Sequence, residues 1–295
     1  MLTEFDIGEH ELPRVQKSSS GEFGIIEDGP LSGVPITGVL GDQQAACFGH
    51  MLLPGEVKNT YGTGCFMLLN TGNTPVQSKA GLLTTVCYVI NDRVYYAIEG
   101  AVEVAGSAIS WAKNNMGLFK SEKEIEELCR SVADDGDIVF VPAFSGLFSP
   151  YWRNDARGLF VGLSHHTTRA HLTRAIVNAP CMRTKEIVDA MESEFGSRVE
   201  SLVVDGGMTV NPFIMQRQAD VLGFEVVTKE EKEVTCLGAA FAAGLHIGFR
   251  KDEEEIRGMV KVARRYQSEM PAEERDAIVE KWKNAVWRSF DWAKN

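Results

Sequence analysis

Three short stretches of this 295-residue sequence combine residue types that could do chemistry together. Gly41-Asp42-Gln43-Gln44 puts a carboxylate where an apolar run gives way to a helix-like run of Ala45, Ala46, Cys47 and Phe48. Asn59-Thr60-Tyr61-Gly62-Thr63-Gly64 ends in a turn whose two glycines let backbone N–H groups converge on an anion. Asp205-Gly206-Gly207-Met208-Thr209-Val210-Asn211 again follows a strand-like run and opens a helix, whose first N–H groups favour negative charge. A carboxylate that can take a hydroxyl proton, beside amides that can hold phosphate oxygens, suits phosphoryl transfer. Each stretch also has an ordinary reading, Asp42 as a helix cap and Gly-Thr-Gly as a hairpin turn. Their joint occurrence favours chemistry.

The elements that must position these residues follow from periodicity. Residues 1–33 read as the end of a helix with its exit turn, a Ser18-Ser19-Ser20-Gly21 loop and a short strand from Phe23 to Ile26. Val34 to Leu40 reads as a buried strand that delivers Asp42. Cys65 to Asn70 returns as a strand, and Gly81 to Ile90 pairs with Arg93 to Ile98 about Asn91-Asp92. From Glu99 onward the small residues Ala101, Ala105, Ala108 and Ala112 predict a helix with Gly106 in its middle, kept there by close packing or by a ligand. Ser121 to Ala133 reads as a surface helix, and Ile138 to Phe144 as a buried strand. A long loop, Ser145 to Gly158, follows with Pro150, Tyr151 and Trp152, a length uncommon unless it binds or is covered. Then come a long helix, His171 to Phe195, kinked at Pro180, the strand to Asp205, a helix from Pro212, the strand Glu225 to Thr228 and a small-residue helix, Leu237 to Ile247. Asp252 to Trp292 reads as charged helices packing through Trp282, Val286, Trp287 and Phe290. A β-β-β start and a β-α-β-α ending give an α/β, ribonuclease-H-like domain, a mixed sheet flanked by helices as in the actin, Hsp70 and sugar-kinase superfamily.

Composition narrows the classes. A hydrophobic fraction of 44% with 24% charged residues belongs to an ordinary globular chain, and no membrane span is expected. A formal charge of −11 argues against a nucleic-acid partner, which requires a basic face. The six cysteines form no CxxC pair and read as reduced thiols of a cytoplasmic protein rather than a disulfide frame or zinc site. His165-His166 reads as a surface loop. The N-terminus lacks the charge and apolar pattern of a secretory signal.

Gly41-Asp42-Gln43-Gln44-Ala45-Ala46, Lys58-Asn59-Thr60-Tyr61-Gly62-Thr63-Gly64-Cys65-Phe66 and Asp205-Gly206-Gly207 resemble the glycerol-kinase branch of the FGGY carbohydrate kinases. Pro142-Ala143-Phe144 to Tyr151-Trp152, Arg157 to Leu163 and Leu237-Gly238-Ala239-Ala240 look like that family's too, so the likeness covers essentially the whole chain. The resemblance implies phosphorylation of glycerol to sn-glycerol 3-phosphate with ATP and Mg²⁺. It implies Asp42 as catalytic base, with a water-mediated metal contact, and Gln43 and Phe66 against glycerol. Thr63 would touch phosphate, while Gly106, Gly207 and Asn211 would line the adenine nucleotide. It divides the chain into 1–33 as the end of a first domain, 34–250 as the C-terminal ribonuclease-H-like domain and 251–295 as charged helices packed on it.

The departures matter too. The family's phosphate hairpin and its Arg, Glu and aromatic grip on glycerol belong to a first domain with no counterpart here. Ser110 stands where a nucleotide-contacting Gln is common, Pro212 where a second Asn is usual, Asn178 and Pro180 in an altered second signature, and Gly33 where bacterial members carry an inhibitor-binding Arg. The expectation is therefore a glycerol kinase part that is weak or inactive alone. The alternative is a non-catalytic nucleotide-binding or interaction protein, forming homo-oligomers or joining full-length subunits.

Overall fold

The computed structural model describes residues 2–293. After a one-turn helix, α1 (Leu2–Phe5), and a 3-10 turn at Glu9–Glu11, the chain is irregular up to α2 (Asp42–His50). Four strands follow: β1 (Val57–Tyr61), β2 (Cys65–Gly72), β3 (Leu83–Ile90) and β4 (Arg93–Val102). Asn91 and Asp92 close the β3–β4 hairpin at φ 48° and 63°, the left-handed pair that matches strand twist. Next come α3 (Gly106–Asn114), α4 (Glu124–Arg130), the short pair β5 (Val139–Val141) and β6 (Leu159–Val161), and the long α5 (Arg169–Phe195). The second half supplies β7 (Ser201–Asp205), α6 (Pro212–Leu222), β8 (Glu225–Lys229), α7 (Val234–His246), α8 (Glu253–Met259), β9 (Val262–Tyr266) and α9 (Ala272–Arg288).

Seven strands form one mixed sheet in the order β3-β4-β2-β1-β7-β8-β9. The first four pair antiparallel, β1, β7 and β8 run parallel, and β9 closes the edge antiparallel to β8. The parallel centre needs cover on both faces. On one face α2 and α7 pack with Phe48, Leu68, Tyr88 and Phe241. On the other, α3, α5 and α6 bury Tyr61, Met67, Ile98, Ile176 and Met215. Asp42 and Asp205 both lie where strands β1 and β7 end or a facing helix begins, which is where a doubly covered sheet opens to ligands.

Several elements differ from expectation. Val34 to Leu40 is no strand: Val34, Ile36 and Val39 are exposed, and its backbone pairs only through isolated bridges, Ser19–Gly38 and Ile25–Pro35. The stretch, with Phe23–Ile26 beside it, lies across α7 rather than along the sheet. Thr37 Oγ1 donates to Ala243 O at 3.3 Å and Ser19 Oγ to Ala242 O at 2.7 Å. The backbone of the stretch meets only the irregular segment 18–26, through separated bonds such as Ser20 N–H to Thr37 O and Ile36 N–H to Gly24 O, so no continuous ladder and no strand forms. The helix expected from Glu99 begins only at Gly106, because β4 stays paired with β2 as far as Val102. The Ser121–Ala133 helix contracts to α4, and α5 runs unbroken through Pro180. Asp252–Trp292 contains the strand β9 between its helices, and Trp287 is exposed rather than packed.

Candidate active site

β1 ends at Tyr61, and the Gly62-Thr63-Gly64 turn into β2 is closed by Gly62 N–H donating to Gly64 O at 2.8 Å. The carbonyls of that turn then cap the next helix from outside. Gly106 N–H donates to Gly62 O at 3.0 Å, while Ala105 and Ser107 N–H groups donate to Thr63 O at 2.9 and 3.0 Å. Gly106 is thus the first residue of α3, and a Cβ on it would lie 2.6 Å from Gly62 O. Its packing reason is explicit. Across from this turn β7 ends at Asp205, a 3-10 turn spans Gly207–Val210, and Asn211 Oδ1 caps α6 by accepting from Phe213 N–H at 3.0 Å. Asn211's amide nitrogen is left for other contacts.

Between these two turns opens a cleft of about 810 Å³. It brings together Thr63, Gly106, Gly207 and Asn211, the four residues expected to face a nucleotide, along with Ser110. Its walls are apolar at Ile109, Ile125, Met208 and Val210, to which the sequence reading gave no part in a ligand site. Val210 is 72% exposed, an apolar side chain with no packing duty beside an Asp-Gly-Gly turn, and that pairing was the available signal.

The two glycines of the β7 turn make opposite demands. Gly206 has φ 92°, and a Cβ there would lie 2.3 Å from Tyr61 O. Around Gly207 nothing lies within 4 Å of an added Cβ, which would project into open space on the cleft wall. Gly206→Ala is therefore expected to destabilise the fold by about 1–3 kcal/mol. Gly207→Ala should leave the melting temperature within about 1 °C and, if the cleft takes the nucleotide as the resemblance implies, weaken ADP binding about tenfold, because the methyl group would project into the cleft. Thermal melts and ADP titration of the two variants check this. Equal losses of stability would remove the distinction.

Asp42, Gln43 and Phe66 do not line this cleft. They cluster on the α2 side of the same β1–β2 hairpin. Asp42 is exposed in the first turn of α2, its Oδ1 accepting from Gln43 N–H at 2.8 Å, and Phe66 is 42% exposed. Beneath them Lys58 is completely buried, its Nζ donating to Gln43 Oε1, to Thr60 Oγ1 at 2.9 Å and to Phe66 O at 3.1 Å. Burial pulls the Lys58 pKa below the ordinary value, countered by Cys47, Asp205 and Glu99. Glu99 on β4 is pushed up by burial, with Asp42's charge adding and Lys58 opposing. A buried lysine was not legible in the sequence, where it read only as part of a motif.

Asp205 is also buried, and His50 Nε2–H donates to its Oδ2 at 2.6 Å. Burial lowers the His50 pKa despite the hydrogen bond and charge of Asp205. For Asp205 burial works upward, but His50, Lys58 and Thr60 outweigh it and hold the carboxyl below its usual range. Both groups bind protons less readily folded than unfolded. The stability of the pair is thus complete above the ordinary His value of 6.5 and is lost as pH falls, first through His50 and then through Asp205. Melting temperatures from about pH 7.5 to 5.5 are expected to decline, and His50→Gln, which keeps a donor for Asp205, to flatten that slope. An unchanged slope would assign the loss to other groups.

Asn178 serves the scaffold. Its Nδ2 donates to Asp135 Oδ2 at 2.7 Å and its Oδ1 accepts from Arg217 at 2.9 Å. His165 and His166 are exposed, and five of the six cysteines are buried free thiols. Among the described residues no helix is long and apolar enough to cross a membrane.

Comparison with known proteins places this geometry. Glycerol kinase of Acidiphilium cryptum (strain JF-5) is 47% identical over 99% of the chain, and that of Mycobacteroides abscessus is 50% identical over 99%. The chain spans only 59% of the length of either relative. The crystal structure of Plasmodium falciparum glycerol kinase with ADP superposes with a TM-score of 0.90 at 36% identity, covering 98% of this chain and 58% of that one. A ligand-bound xylulose kinase from Lactobacillus acidophilus shares the fold at a TM-score of 0.79 and 19% identity. Residues 57–247, from β1 through α7 and thus including both turns of the cleft, match the C-terminal domain of the FGGY family of carbohydrate kinases, and the chain belongs to that family.

Proposed function

We propose that the chain is the nucleotide-binding and base-bearing part of a glycerol kinase, which transfers the γ-phosphoryl group of ATP to glycerol and yields sn-glycerol 3-phosphate. The observation that carries this reading is the convergence of Thr63, Gly106, Gly207 and Asn211 on one cleft, with Asp42, Gln43 and Phe66 clustered across the hairpin that Thr63 tops. Thr63 and its turn contact phosphate. Gly207 and Asn211 admit the nucleotide against the apolar walls. Asp42 accepts the proton of the attacking hydroxyl, and Phe66 packs on the carbon skeleton.

Among the described residues no three acidic, His or Cys side chains are grouped to cage a metal ion. An exposed carboxylate at Asp42 nonetheless fits a water-mediated contact to Mg²⁺ held mainly by phosphate oxygens. When bound, Mg²⁺ neutralises charge on the transferring phosphoryl group.

A second reading stands beside the first: nucleotide binding with little turnover by these residues alone, or association with full-length subunits. Positioning supplies most of phosphoryl-transfer catalysis, so a base without its opposing phosphate contacts retains little of it. The deciding experiment is a coupled ADP-release assay on the purified chain, with and without glycerol, run beside a thermal-shift titration with Mg·ADP. The expected result is protection by Mg·ADP and no glycerol-dependent turnover above a vector-only control. Turnover would give the whole reaction to this chain. Absence of protection would sink the nucleotide reading.

A further inference from the structure

Lys58 is an ammonium with three donors and no acceptor capacity, buried to 0% exposure, and it meets three oxygens drawn from three elements: Gln43 Oε1 on α2, Thr60 Oγ1 on β1 and Phe66 O on β2. Its donor count is filled. Because an ammonium can only donate, the atom of the Gln43 amide that faces it must be Oε1. Which way an amide points is ordinarily left open by its own shape, but here the Lys58 donors, shared with Thr60 Oγ1 and the Phe66 carbonyl, decide it. The Nε2 group is then turned away from Lys58, and no protein acceptor takes its protons among the described residues.

We infer that Lys58 is a positioning residue that locks the Gln43 amide so that its NH₂ group, and not its carbonyl, is presented to the acceptor alcohol. The inference rests on the proposed glycerol site and deepens it. A hydroxyl that gives its proton to Asp42 keeps lone pairs that need a donor, and the locked NH₂ supplies one next along the helix. The pair Asp42 and Gln43 is therefore one acceptor and one donor, matched to an alcohol, while a carboxylate substrate would meet the Asp42 charge. The same ammonium also holds the Phe66 backbone, so a single buried charge sets both the polar and the apolar wall of the acceptor site.

The test is the Gln43 side-chain amide in ¹⁵N spectra of the full 295-residue chain, identified by its loss in Gln43→Leu. With Oε1 held by Lys58, the two amide proton resonances should lie away from random-coil positions and move to them in Lys58→Met. Titrated with glycerol, the wild-type pair should shift, and in Lys58→Met glycerol affinity should fall about tenfold while ADP affinity is unchanged. A pair at random-coil positions in the wild type, or one unmoved in folded Lys58→Met, overturns the inference, as does an equal loss of glycerol and ADP affinity. If Lys58→Met does not fold, Gln43→Glu decides: it keeps a partner for Lys58 and should keep the melting temperature, yet lose the glycerol response, whereas wild-type glycerol binding in Gln43→Glu overturns the inference. Absence of any glycerol-induced shift at Asp42, Gln43 and Phe66, both in the wild-type chain and in that chain joined to the N-terminal part of a glycerol kinase, counts against glycerol as the acceptor. The amide positions still decide the role of Lys58.

Discussion

Asp42→Asn is expected to reduce glycerol-dependent phosphoryl transfer by about 10²–10⁴-fold, the usual worth of a positioned general base, while the melting temperature stays within about 1 °C. The measurement is steady-state turnover of the chain joined to the N-terminal part of a glycerol kinase, with a thermal melt of the isolated chain beside it. The structure explains why stability should be spared. Asp42 is exposed, and its one protein contact, the Oδ1 that accepts from Gln43 N–H, is available to the asparagine carbonyl as well. Only the proton-accepting power of the carboxylate is removed. A fall of several degrees with turnover retained would instead make Asp42 a structural cap.

The second large effect falls on stability. Arg183 is completely buried in α5 and holds Glu186 Oε2 at 2.6 Å, Glu103 Oε2 at 3.3 Å and the Ser149 carbonyl at 2.7 Å. Glu186 also accepts from Tyr151 O–H at 2.5 Å and Trp282 Nε1–H at 2.7 Å. One guanidinium thus joins the aromatic loop, α9 and the segment just before α3. Arg183→Met leaves two carboxylates with side chains no more than 11% exposed and no counter-charge. The expected cost is about 3–5 kcal/mol, or a drop of roughly 5–8 °C in melting temperature for a chain of this length. Adding Glu103→Gln and Glu186→Gln to Arg183→Met should recover part of the loss, because the stranded charges are removed. A drop under about 2 °C for the single variant would mean that water reaches the cluster in solution.

Much of this architecture was legible where local chemistry and period agree. Asn91-Asp92 gave the hairpin, Asp-Gly-Gly before Pro212 gave the β7–α6 junction, and Thr63, Gly207 and Asn211 of two short motifs meet Gly106 on one cleft. The failures have physical causes. Val34 to Leu40 carries a strand's composition, but it lies between α7 and the irregular segment 18–26 rather than in the sheet, and composition alone does not reveal its neighbours. β9 reads Val-Ala-Arg-Arg-Tyr, and charges on an edge strand, which keep edges from pairing further, resemble a helix surface in sequence. Gly106 was placed inside a helix because small residues mark both the end of β4 and the start of α3. Lys58, Glu99 and Arg183 were missed as site or core residues for a single reason: a buried charge is defined by the partners that compensate it, and these come from distant parts of the chain.

The contact between Ser19 and Ala242 spans 223 residues of sequence. During synthesis, at roughly 5–20 residues per second, the segment bearing Val15, Ile25, Leu31, Val34 and Ile36 emerges about 10–45 s before the helix it docks on exists. Its apolar side chains stay exposed even in the finished fold. What α7 supplies is the pair of carbonyls that take the Ser19 and Thr37 hydroxyls, so this segment docks late, after strands β1 to β8 have been made.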